Sequence, residues 1–237
     1  MIQIIQSRAL ENLLNKDEIN MFRNLQKILK KYNNISNLTR LIDSDEYWIS
    51  QVYDSIWPFL ISYKKIFDQK NYIDIGSGCG FPGFAYAITH PNSKVHLIDS
   101  SSKKTDALKN IVIEMNLTKQ VTVIKDRIEN LAHDTNYRNN FDIATIRAVG
   151  SPSTVSEYLL PMLNKSGLGI LYCGKWLKQD TQNIERALKI LKGTIKEINR
   201  IILPKSKGER NVIFIEPYQK CPNSYPRAIG KPRKYPL

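Results

Sequence analysis

Long apolar runs are missing from this 237-residue chain, and none approaches the roughly 20 residues that a membrane-spanning helix needs. The first residues, MIQIIQSRALENLLNKDE, lack the basic flank, long apolar stretch and cleavage-like site of a secretory signal. Cysteine is scarce, and the spacing of Cys79, Cys173 and Cys221 matches neither a disulfide framework nor a metal-ligand motif. These absences predict a soluble cytoplasmic protein that does not span a membrane and has no metal site.

Acidic residues are in the minority, since 22 aspartates and glutamates stand against 35 lysines and arginines, a net charge of +13. Such an excess favours a polyanionic partner, although a basic protein can also simply be soluble. The last twenty residues, YQKCPNSYPRAIGKPRKYPL, hold no acidic residue, four prolines and three tyrosines. This composition predicts a segment that is extended or disordered on its own. Its basic and aromatic side chains favour RNA contact over a merely solvated tail.

Hydrophobic periodicity divides the chain into two parts. Apolar spacings of three and four predict a helix over 17–34 and a second helical stretch over 45–67, which Pro58 should kink or restart. From Tyr72 onward, short apolar runs alternate with helical segments, which indicates parallel strands joined by crossovers. The predicted strands are 72–75, 94–99, 120–125, 141–148, 168–173, 194–204 and 210–217, and the predicted helices are 82–90, 101–116, 152–163 and 176–192.

The last two predicted strands are separated only by KSKGE and should form an antiparallel pair. We therefore predict an α/β, Rossmann-like fold with a mostly parallel seven-stranded sheet and an antiparallel terminal hairpin. Residues 1–70 are interpreted as an N-terminal helical cap, 71–217 as the domain that carries the sheet, and 218–237 as a basic tail.

The loop in YIDIGSGCGFPG carries glycines that fit two cofactor motifs. Gly78, Gly80 and Gly83 match the dinucleotide fingerprint G-x-G-x-x-G. Asp74 followed by Gly76, Gly78 and Gly80 matches instead the S-adenosylmethionine loop of class I methyltransferases. A pyrophosphate is disfavoured beside a carboxylate, whereas the sulfonium and ammonium groups of the methyl donor are stabilised by one. The loop therefore favours S-adenosylmethionine.

Polar residues also follow the later strands. Asp99 ends the second strand, where a carboxylate can accept hydrogen bonds from the ribose hydroxyls of either cofactor. The segment from Asp126 to Glu129 follows the third strand, where a methyltransferase usually contacts the adenine. Arg147 follows the fourth strand. Nothing downstream matches a nicotinamide site, which again favours the methyl donor.

The chain lacks the sequence motifs of two kinds of methyltransferase, and this absence bears on which atom accepts the methyl group. No cysteine follows a proline, so the thiolate that usually attacks pyrimidine C5 is not recognised. The Asn/Asp-Pro-Pro-aromatic turn of amine methyltransferases is replaced by Arg147-Ala148-Val149. A ring nitrogen such as guanine N7 has a free lone pair and needs no general base. The pattern is consistent with N7 and leaves other acceptors open.

Several motifs occur in one order between about Asn33 and the C-terminus. They are Asn37-Leu38-Thr39, Asp54-Ser55, DIGSGCGFPG, Leu97-Ile98-Asp99-Ser100 followed by Lys103-Lys104, Arg127-Ile128-Glu129, Arg147-Ala148, Lys175, Gly208-Glu209-Arg210 and the tail YPRAIGKPRKYPL. Together they resemble the small-subunit ribosomal RNA methyltransferase G family, also called glucose-inhibited division protein B. The resemblance implies a class I, S-adenosylmethionine-dependent enzyme that methylates N7 of a guanosine in 16S rRNA. The partner would be this RNA or the small ribosomal subunit, and we expect a monomer.

The resemblance also implies site residues. The candidate catalytic residues are Arg147 and Lys175, with Arg147 at the junction of donor and RNA; Glu209 and Arg210 would be RNA-contacting or site-shaping groups. The candidate donor-binding residues are Asp74, Gly76, Ser77, Gly78, Gly80 and Phe81 around the loop, Asp99, Ser100 and Ser101 near the ribose, Ile128 and Glu129 near the adenine, and Arg147.

Three positions depart from the family pattern. Gln51 stands where a histidine is usual, Cys79 replaces a proline or alanine as a neutral filler, and Trp176 follows Lys175 where glycine is common. Trp48 and Trp57 are interpreted as core residues rather than base-stacking groups. Two other functions stay open at this stage: a non-catalytic RNA-binding assembly factor that keeps the fold, and a methyltransferase for a small metabolite.

Overall fold

The computed structural model describes residues 13–61, 67 and 70–237. A seven-stranded sheet runs through these residues. Its strands are β1 Asn71–Ile75, β2 Lys94–Asp99, β3 Val121–Lys125, β4 Phe141–Arg147, β5 Leu163–Cys173, β6 Gly193–Ile202 and β7 Glu209–Pro217. The order across the sheet is β3-β2-β1-β4-β5-β7-β6.

Strands β1 to β5 pair in parallel, and β7 lies antiparallel between β5 and β6. The predicted mostly parallel sheet with an antiparallel terminal hairpin is therefore confirmed. The chain moves outward in one direction from β1 to β3 and in the other from β4 onward. A crevice forms at such a reversal, outside the carboxyl ends of the strands, and ligands of open α/β sheets bind there.

The helices of the described residues are α1 Lys16–Ser36, α2 Ser44–Tyr47, α3 Asp54–Ile61, α4 Gly83–Thr89, α5 Ser102–Glu114, α6 Ile128–Leu131, α7 Pro152–Leu159, α8 Lys178–Leu191 and α9 Lys231–Lys234. A π-helical segment, Trp48–Tyr53, joins α2 to α3, and a 3₁₀ turn, Leu160–Met162, ends the helix predicted over 152–163. The helix α1 begins with a capping box, in which Asn15 accepts from the Glu18 amide and the Glu18 carboxylate accepts from the Asn15 amide.

The helix does not restart at Pro58, because α3 continues through it, and a kink at this residue stays a prediction. An irregular segment precedes α3, in the π-helical Trp48–Tyr53. A proline inside a helix removes one hydrogen bond and crowds the carbonyl four residues before it, here that of Asp54. The wider π turn ends directly before this residue. The last part of the predicted stretch, 62–66, falls outside the described residues.

The N-terminal helices pack on one face of the sheet and share its core. Phe22 and Leu25 of α1 are fully buried in one hydrophobic cluster with Leu108 and Ile111 of α5. Trp57 is fully buried, and Trp48 is partly buried against the same cluster, so the core interpretation holds for both. The opposite face is covered by α7 and α8 in a second cluster. The proposed boundaries after residues 70 and 217 remain predictions.

The prediction of an extended or disordered tail concerns this segment on its own. In the folded chain, residues 218–237, hereafter the strap, lie against the domain and include the short helix α9. Composition could not show this, because the groups that hold the strap belong to distant parts of the chain. In the part of the chain that the structure describes, no helix is both long and apolar enough to cross a membrane.

Candidate functional site

The glycine loop after β1 needs residues without a Cβ. Gly76, Gly78 and Gly80 lie at φ values of +70°, +59° and +92°, a region that other residues rarely adopt. A Cβ on Gly80 would lie 2.2 Å from the Phe84 ring. A Cβ on Gly78 would meet protein only at 3.8 Å, so a side chain there would enter the open cleft. The loop thus presents bare backbone to the cleft, as a ligand in close contact requires.

Hydrogen bonds fasten this loop to the end of β2. The Ser77 hydroxyl donates to the Asp74 carbonyl and accepts from the Ile98 amide, both at 2.9 Å. The Gly78 amide donates to Asp99 Oδ2 at 3.1 Å, and the Ser101 amide donates to Asp99 Oδ1 at 2.9 Å. Asp99 is therefore held in one orientation at the edge of the cleft, where its remaining lone pairs suit a diol.

Asp74 lies beneath the loop rather than in the cleft. Its Oδ1 accepts from the Thr145 hydroxyl at 3.0 Å and its Oδ2 accepts from the Gly83 amide at 3.1 Å. Burial raises the pKa of Asp74 to about 6, although these hydrogen bonds favour the charged form. Pro82, which the sequence places in the first helical turn, instead precedes α4 as its N-cap residue. The carboxylate thus connects the end of β1 with the start of α4.

Two pockets adjoin at the carboxyl ends of the strands. The larger, the cap pocket, has a volume of about 460 Å³ and lies between the loop and the N-terminal helices. The smaller, the strap pocket, has a volume of about 280 Å³ and lies beyond Asp99. Both are lined by Gly76, Lys104, Arg147 and Ala148. They are thus adjacent compartments that share a boundary.

Arg147 stands at this boundary and lines both pockets, while its place at the junction of donor and RNA stays a prediction. Its guanidinium donates to Gln51 Oε1 and lies 3.6 Å from the Asp54 carboxylate. Gln51 in turn donates to Thr39 Oγ1 at 3.0 Å and to Cys79 Sγ at 3.4 Å. The buried amide therefore ties Arg147 both to the cap and to the glycine loop.

Asp54 connects the cap to β7. Its Oδ2 accepts from Arg210 Nε at 3.3 Å and faces Arg147. Burial raises the pKa of Asp54, while the two guanidinium groups oppose that shift. Both arginines line the cap pocket. A carboxylate shared by two arginines holds them in place but leaves a net positive site, which suits a phosphate or an electron-rich base.

The structure brings most of the predicted donor residues to these pockets. The cap pocket is lined by Gly76, Ser77, Gly78, Phe81 and Arg147. The strap pocket is lined by Gly76, Asp99, Ser100, Ile128, Glu129 and Arg147. Three predicted residues line neither pocket, namely Asp74, Gly80 and Ser101. Asp74 and Gly80 determine the conformation of the loop, and Ser101 lies directly before α5.

Two predicted residues sit differently from what their roles suggest. Lys175 is exposed after β5 and lines neither of these pockets. Glu129 lines the strap pocket, but its carboxylate is already engaged by Arg127 at 2.9 Å, Tyr158 at 3.1 Å and the Gly230 amide at 3.1 Å. Its side chain is only 1% exposed. Contact between Glu129 and adenine stays a prediction.

Several lining residues were not predicted as site residues. Gln51 was noted only as a departure from the family pattern, and Lys104 was named only within a motif. Ala148 lies at φ 58°, a strained conformation for a residue with a Cβ, directly where the two pockets meet. Arg233 of the strap lines the strap pocket. No periodic pattern could have indicated Arg233, because it lies in the segment with no predicted structure.

Within residues 13–61, 67 and 70–237, no group of three or more histidines, cysteines, aspartates or glutamates is arranged to hold a metal ion. The pockets do fit a nucleoside with a charged tail. Ile75, Ile98 and Ile128 give the strap pocket an apolar lining, Asp99 provides acceptors, and the bare loop lies alongside.

Comparison with known proteins agrees with this geometry. A family model described as rRNA small subunit methyltransferase G matches residues 18–212. A ribosomal RNA small subunit methyltransferase G of Prochlorococcus marinus (strain MIT 9312) is 58% identical over 230 residues, which is 97% of both chains. The ribosomal RNA small subunit methyltransferase G of Prochlorococcus marinus subsp. pastoris is 60% identical over 226 residues, which is 95% of both chains.

Solved structures agree on the fold. An O-methyltransferase from Bacillus cereus in complex with SAH superposes with a TM-score of 0.60 at 16% identity, covering 88% of this chain and 94% of that one. A precorrin-6y C5,15-methyltransferase from Geobacter metallireducens gives a TM-score of 0.51 at 12% identity, covering 76% and 91%. The fold is that of class I methyltransferases, as predicted.

The family model spans most of the chain, and the relatives are similar over nearly their whole length. The enzyme's methyl donor is S-adenosylmethionine, the cofactor predicted from the glycine loop. The chain belongs to the rRNA small subunit methyltransferase G family.

Proposed function

We propose that this enzyme transfers a methyl group from S-adenosylmethionine to N7 of a guanosine in 16S rRNA of the small ribosomal subunit. The observation that carries the proposal is the position of Arg147. It lines both pockets, and Gln51 and Asp54 hold it there. One pocket suits a nucleoside donor, and the adjoining pocket has the size and positive charge for a base presented by an RNA strand.

The donor residues have distinct roles in this proposal. Asp99 accepts hydrogen bonds from the ribose hydroxyls, and Ile128 packs against the adenine. The backbone from Gly76 to Gly78 lies along the methionine part, and Ser100 borders the ribose. Asp74, Gly80 and Ser101 act through the shape of the loop and of the start of α5, while Glu129 supports the wall next to Ile128.

The acceptor guanine would occupy the cap pocket. Bound S-adenosylmethionine would supply an electrophilic methyl group on a sulfonium. N7 would form the new bond with a lone pair that carries no proton, and the bond from methyl to sulfur would break and leave a neutral thioether. No side chain has to remove a proton, so the enzyme's contribution is to align the two groups, an effect that can be worth roughly 7–11 kcal/mol. Arg147 and Arg210 orient the base and its phosphates, and Phe81 limits the pocket on the loop side.

RNA outside the pocket would meet basic residues on the same edge of the sheet. Lys175 is exposed there, and its ammonium makes no hydrogen bond or ion pair with the residues that the structure describes. We propose that it contacts a phosphate near the target guanosine. We further propose that the enzyme acts as a monomer in the cytoplasm, where its RNA substrate is assembled into subunits. Light scattering of the purified chain tests the monomer.

The substrate is tested by mapping N7-methylguanosine in 16S rRNA from cells with and without the gene. We expect one modified position to disappear and to return with the wild-type gene but not with an Arg147→Ala variant. An unchanged modification map in the deletion strain would contradict the proposal.

The form of the substrate is tested in vitro. Purified enzyme and labelled S-adenosylmethionine are incubated with naked 16S rRNA and with small subunits from the deletion strain. Methylation of either at the position lost in the cell supports the proposal. Donor binding without methylation of either RNA form would point instead to a non-catalytic RNA-binding factor.

A further inference from the structure

The strap is anchored by groups from the body of the domain. Arg138 donates from its guanidinium to strap carbonyls at 2.8 to 3.0 Å, those of Cys221, Pro222 and Tyr225. The ring of His133 lies within hydrogen-bond distance, 2.8 Å, of the Pro226 carbonyl. Because the strap backbone supplies acceptors that the domain satisfies, its path is set by the domain and not by its own weak propensity.

A buried ion pair continues this attachment. The Glu157 side chain on α7 is fully buried, and its carboxylate accepts from the Arg227 guanidinium at 2.7 Å and from the Arg227 amide at 2.7 Å. Removing one partner of a buried pair leaves an uncompensated charge, which is strongly unfavourable. The strap is therefore required for the charge balance of α7 and is a part of the fold.

Beyond Arg227 the strap passes over the strap pocket. The Gly230 amide donates to Glu129 Oε1 at 3.1 Å, and the Pro232 carbonyl accepts from Thr154 Oγ1 at 3.0 Å. These two bonds hold the backbone on both sides of Lys231. The next residue after Pro232 is Arg233, and this residue lines the pocket together with Asp99 and Ile128.

We propose that Arg233 binds the methyl donor and closes the adenosine end of its pocket, an inference that rests on the proposed placement of the donor. Arg233 is exposed, and its guanidinium has no hydrogen bond or ion pair with any residue in the described part of the chain. A planar guanidinium stacks well on an aromatic face, and adenine presents such a face between Ile128 and the strap. The strap is then a wall of the donor site.

Two neighbouring cations provide a comparison within the same short helix. Lys231 and Lys234 are also exposed, yet neither lines the strap pocket. The Lys234 ammonium lies 5.3 Å from the centre of the Tyr235 ring. A general attraction between the basic strap and RNA would involve all three cations equally, whereas donor binding singles out Arg233.

The test is calorimetric titration of the purified full-length chain with S-adenosylmethionine and with its demethylated product, in the absence of RNA. We expect Arg233→Ala to raise both dissociation constants ~3–30-fold. The lower end corresponds to a cation–π contact that is partly exposed to solvent, and the upper end to one that is desolvated. Arg233→Lys should recover only part of this affinity, because an ammonium lacks the planar face. Lys234→Ala removes the same charge and should change either constant less than twofold.

RNA affinity of the same variants separates this proposal from RNA contact. If Arg233→Ala bound both ligands as tightly as wild type and lost only RNA affinity, the inference would be wrong. Equal losses of donor affinity in Arg233→Ala and Lys234→Ala would also overturn it, since they would reflect charge alone. If the wild-type chain did not bind S-adenosylmethionine, the identity of the methyl donor would be wrong. If it bound the donor but did not methylate RNA, only the proposed substrate would be wrong. Thermal melts confirm that the variants are folded.

Discussion

The Gln51 side chain accepts a hydrogen bond from the Arg147 guanidinium, so a residue of the cap holds the arginine that stands between the two pockets. Gln51 is 2% exposed, and its amide also donates to Thr39 and Cys79. Although Gln51 departs from the pattern that the resemblance implies, both its amide oxygen and its amide nitrogen make hydrogen bonds. Its role is to orient Arg147, which makes it a positioning residue in the proposed reaction.

We expect Gln51→Ala to lower the rate constant of methyl transfer about 10- to 150-fold, because a hydrogen bond to a charged group contributes roughly 1.5–3 kcal/mol. Single-turnover kinetics with saturating donor measure this. The dissociation constant of the donor, measured without RNA, should stay unchanged. Gln51→His introduces the histidine that the resemblance implies for this position and should retain most of the rate. Equal loss in both variants would argue for a general packing defect.

Asp74 should make stability depend on pH. Its pKa in the folded chain is about 6, against an ordinary value of 3.8, because of burial. Between about pH 4 and pH 6 the folded state therefore binds more protons than the unfolded state. The free energy of unfolding should fall as pH rises through this window, by on the order of 3 kcal/mol.

The matching variant is Asp74→Asn, which can accept from the Gly83 amide and donate to Thr145 but does not titrate. Urea unfolding of wild type and variant at pH 4 to 7 measures the difference between them. We expect the wild type to lose stability relative to Asp74→Asn as pH rises. A difference independent of pH would show that Asp74 does not titrate in this range.

Gly80→Ala should damage the glycine loop. The added Cβ would lie 2.2 Å from the Phe84 ring, at a backbone φ of +92°. We expect a loss of about 1–3 kcal/mol in the free energy of unfolding from overpacking, together with weaker donor binding as the loop shifts. Gly174→Ala is the control, because nothing lies within 4 Å of its Cβ position. Chemical denaturation measures the free energy of unfolding of both variants, and titration measures their donor affinity. Comparable losses in Gly80→Ala and Gly174→Ala would contradict the requirement for a residue without a Cβ at position 80.

Lys175→Ala should weaken RNA binding without changing donor affinity. Loss of one phosphate contact lowers the slope of log affinity against log salt by about 0.7–0.9. Filter binding over a range of salt concentrations gives this slope. Lys119→Ala is the matched control, since Lys119 is exposed just before β3, at the opposite edge of the sheet. Equal slopes for wild type and Lys175→Ala would exclude the proposed contact.

Local patterns predicted the sheet well, because each strand is a short apolar run with its own boundaries. Prediction placed β2 at 94–99 as observed, and it found the antiparallel pairing of β6 with β7 from the brevity of the linker. It shortened β5 to 168–173, because Asn164, Lys165 and Ser166 at the exposed start of this strand look like a loop. It did not predict the π-helical segment Trp48–Tyr53.

Some site residues were predicted well from the sequence and others were not. Residues at the carboxyl end of a strand or directly after it, such as Gly76, Asp99 and Arg147, come together because the carboxyl ends of parallel strands share one edge of the sheet. Glu129 was assigned to adenine by position, yet its carboxylate is taken by Arg127, Tyr158 and the strap. Such competition between partners depends on three-dimensional distances that no spacing reveals.

The amino-acid sequence alone determined the class of the protein. Asp74 and the glycines up to Gly80 require a bare loop after a buried strand, and this requirement is local, so it can be read from consecutive residues. Only the tertiary structure decided what the cap and the strap do. Gln51 and Arg233 reach the pockets from segments distant in sequence, and their placement depends on buried contacts such as those of Glu157 with Arg227. Long-range packing of this kind has no period along the chain, which is why it appears only once the chain is folded.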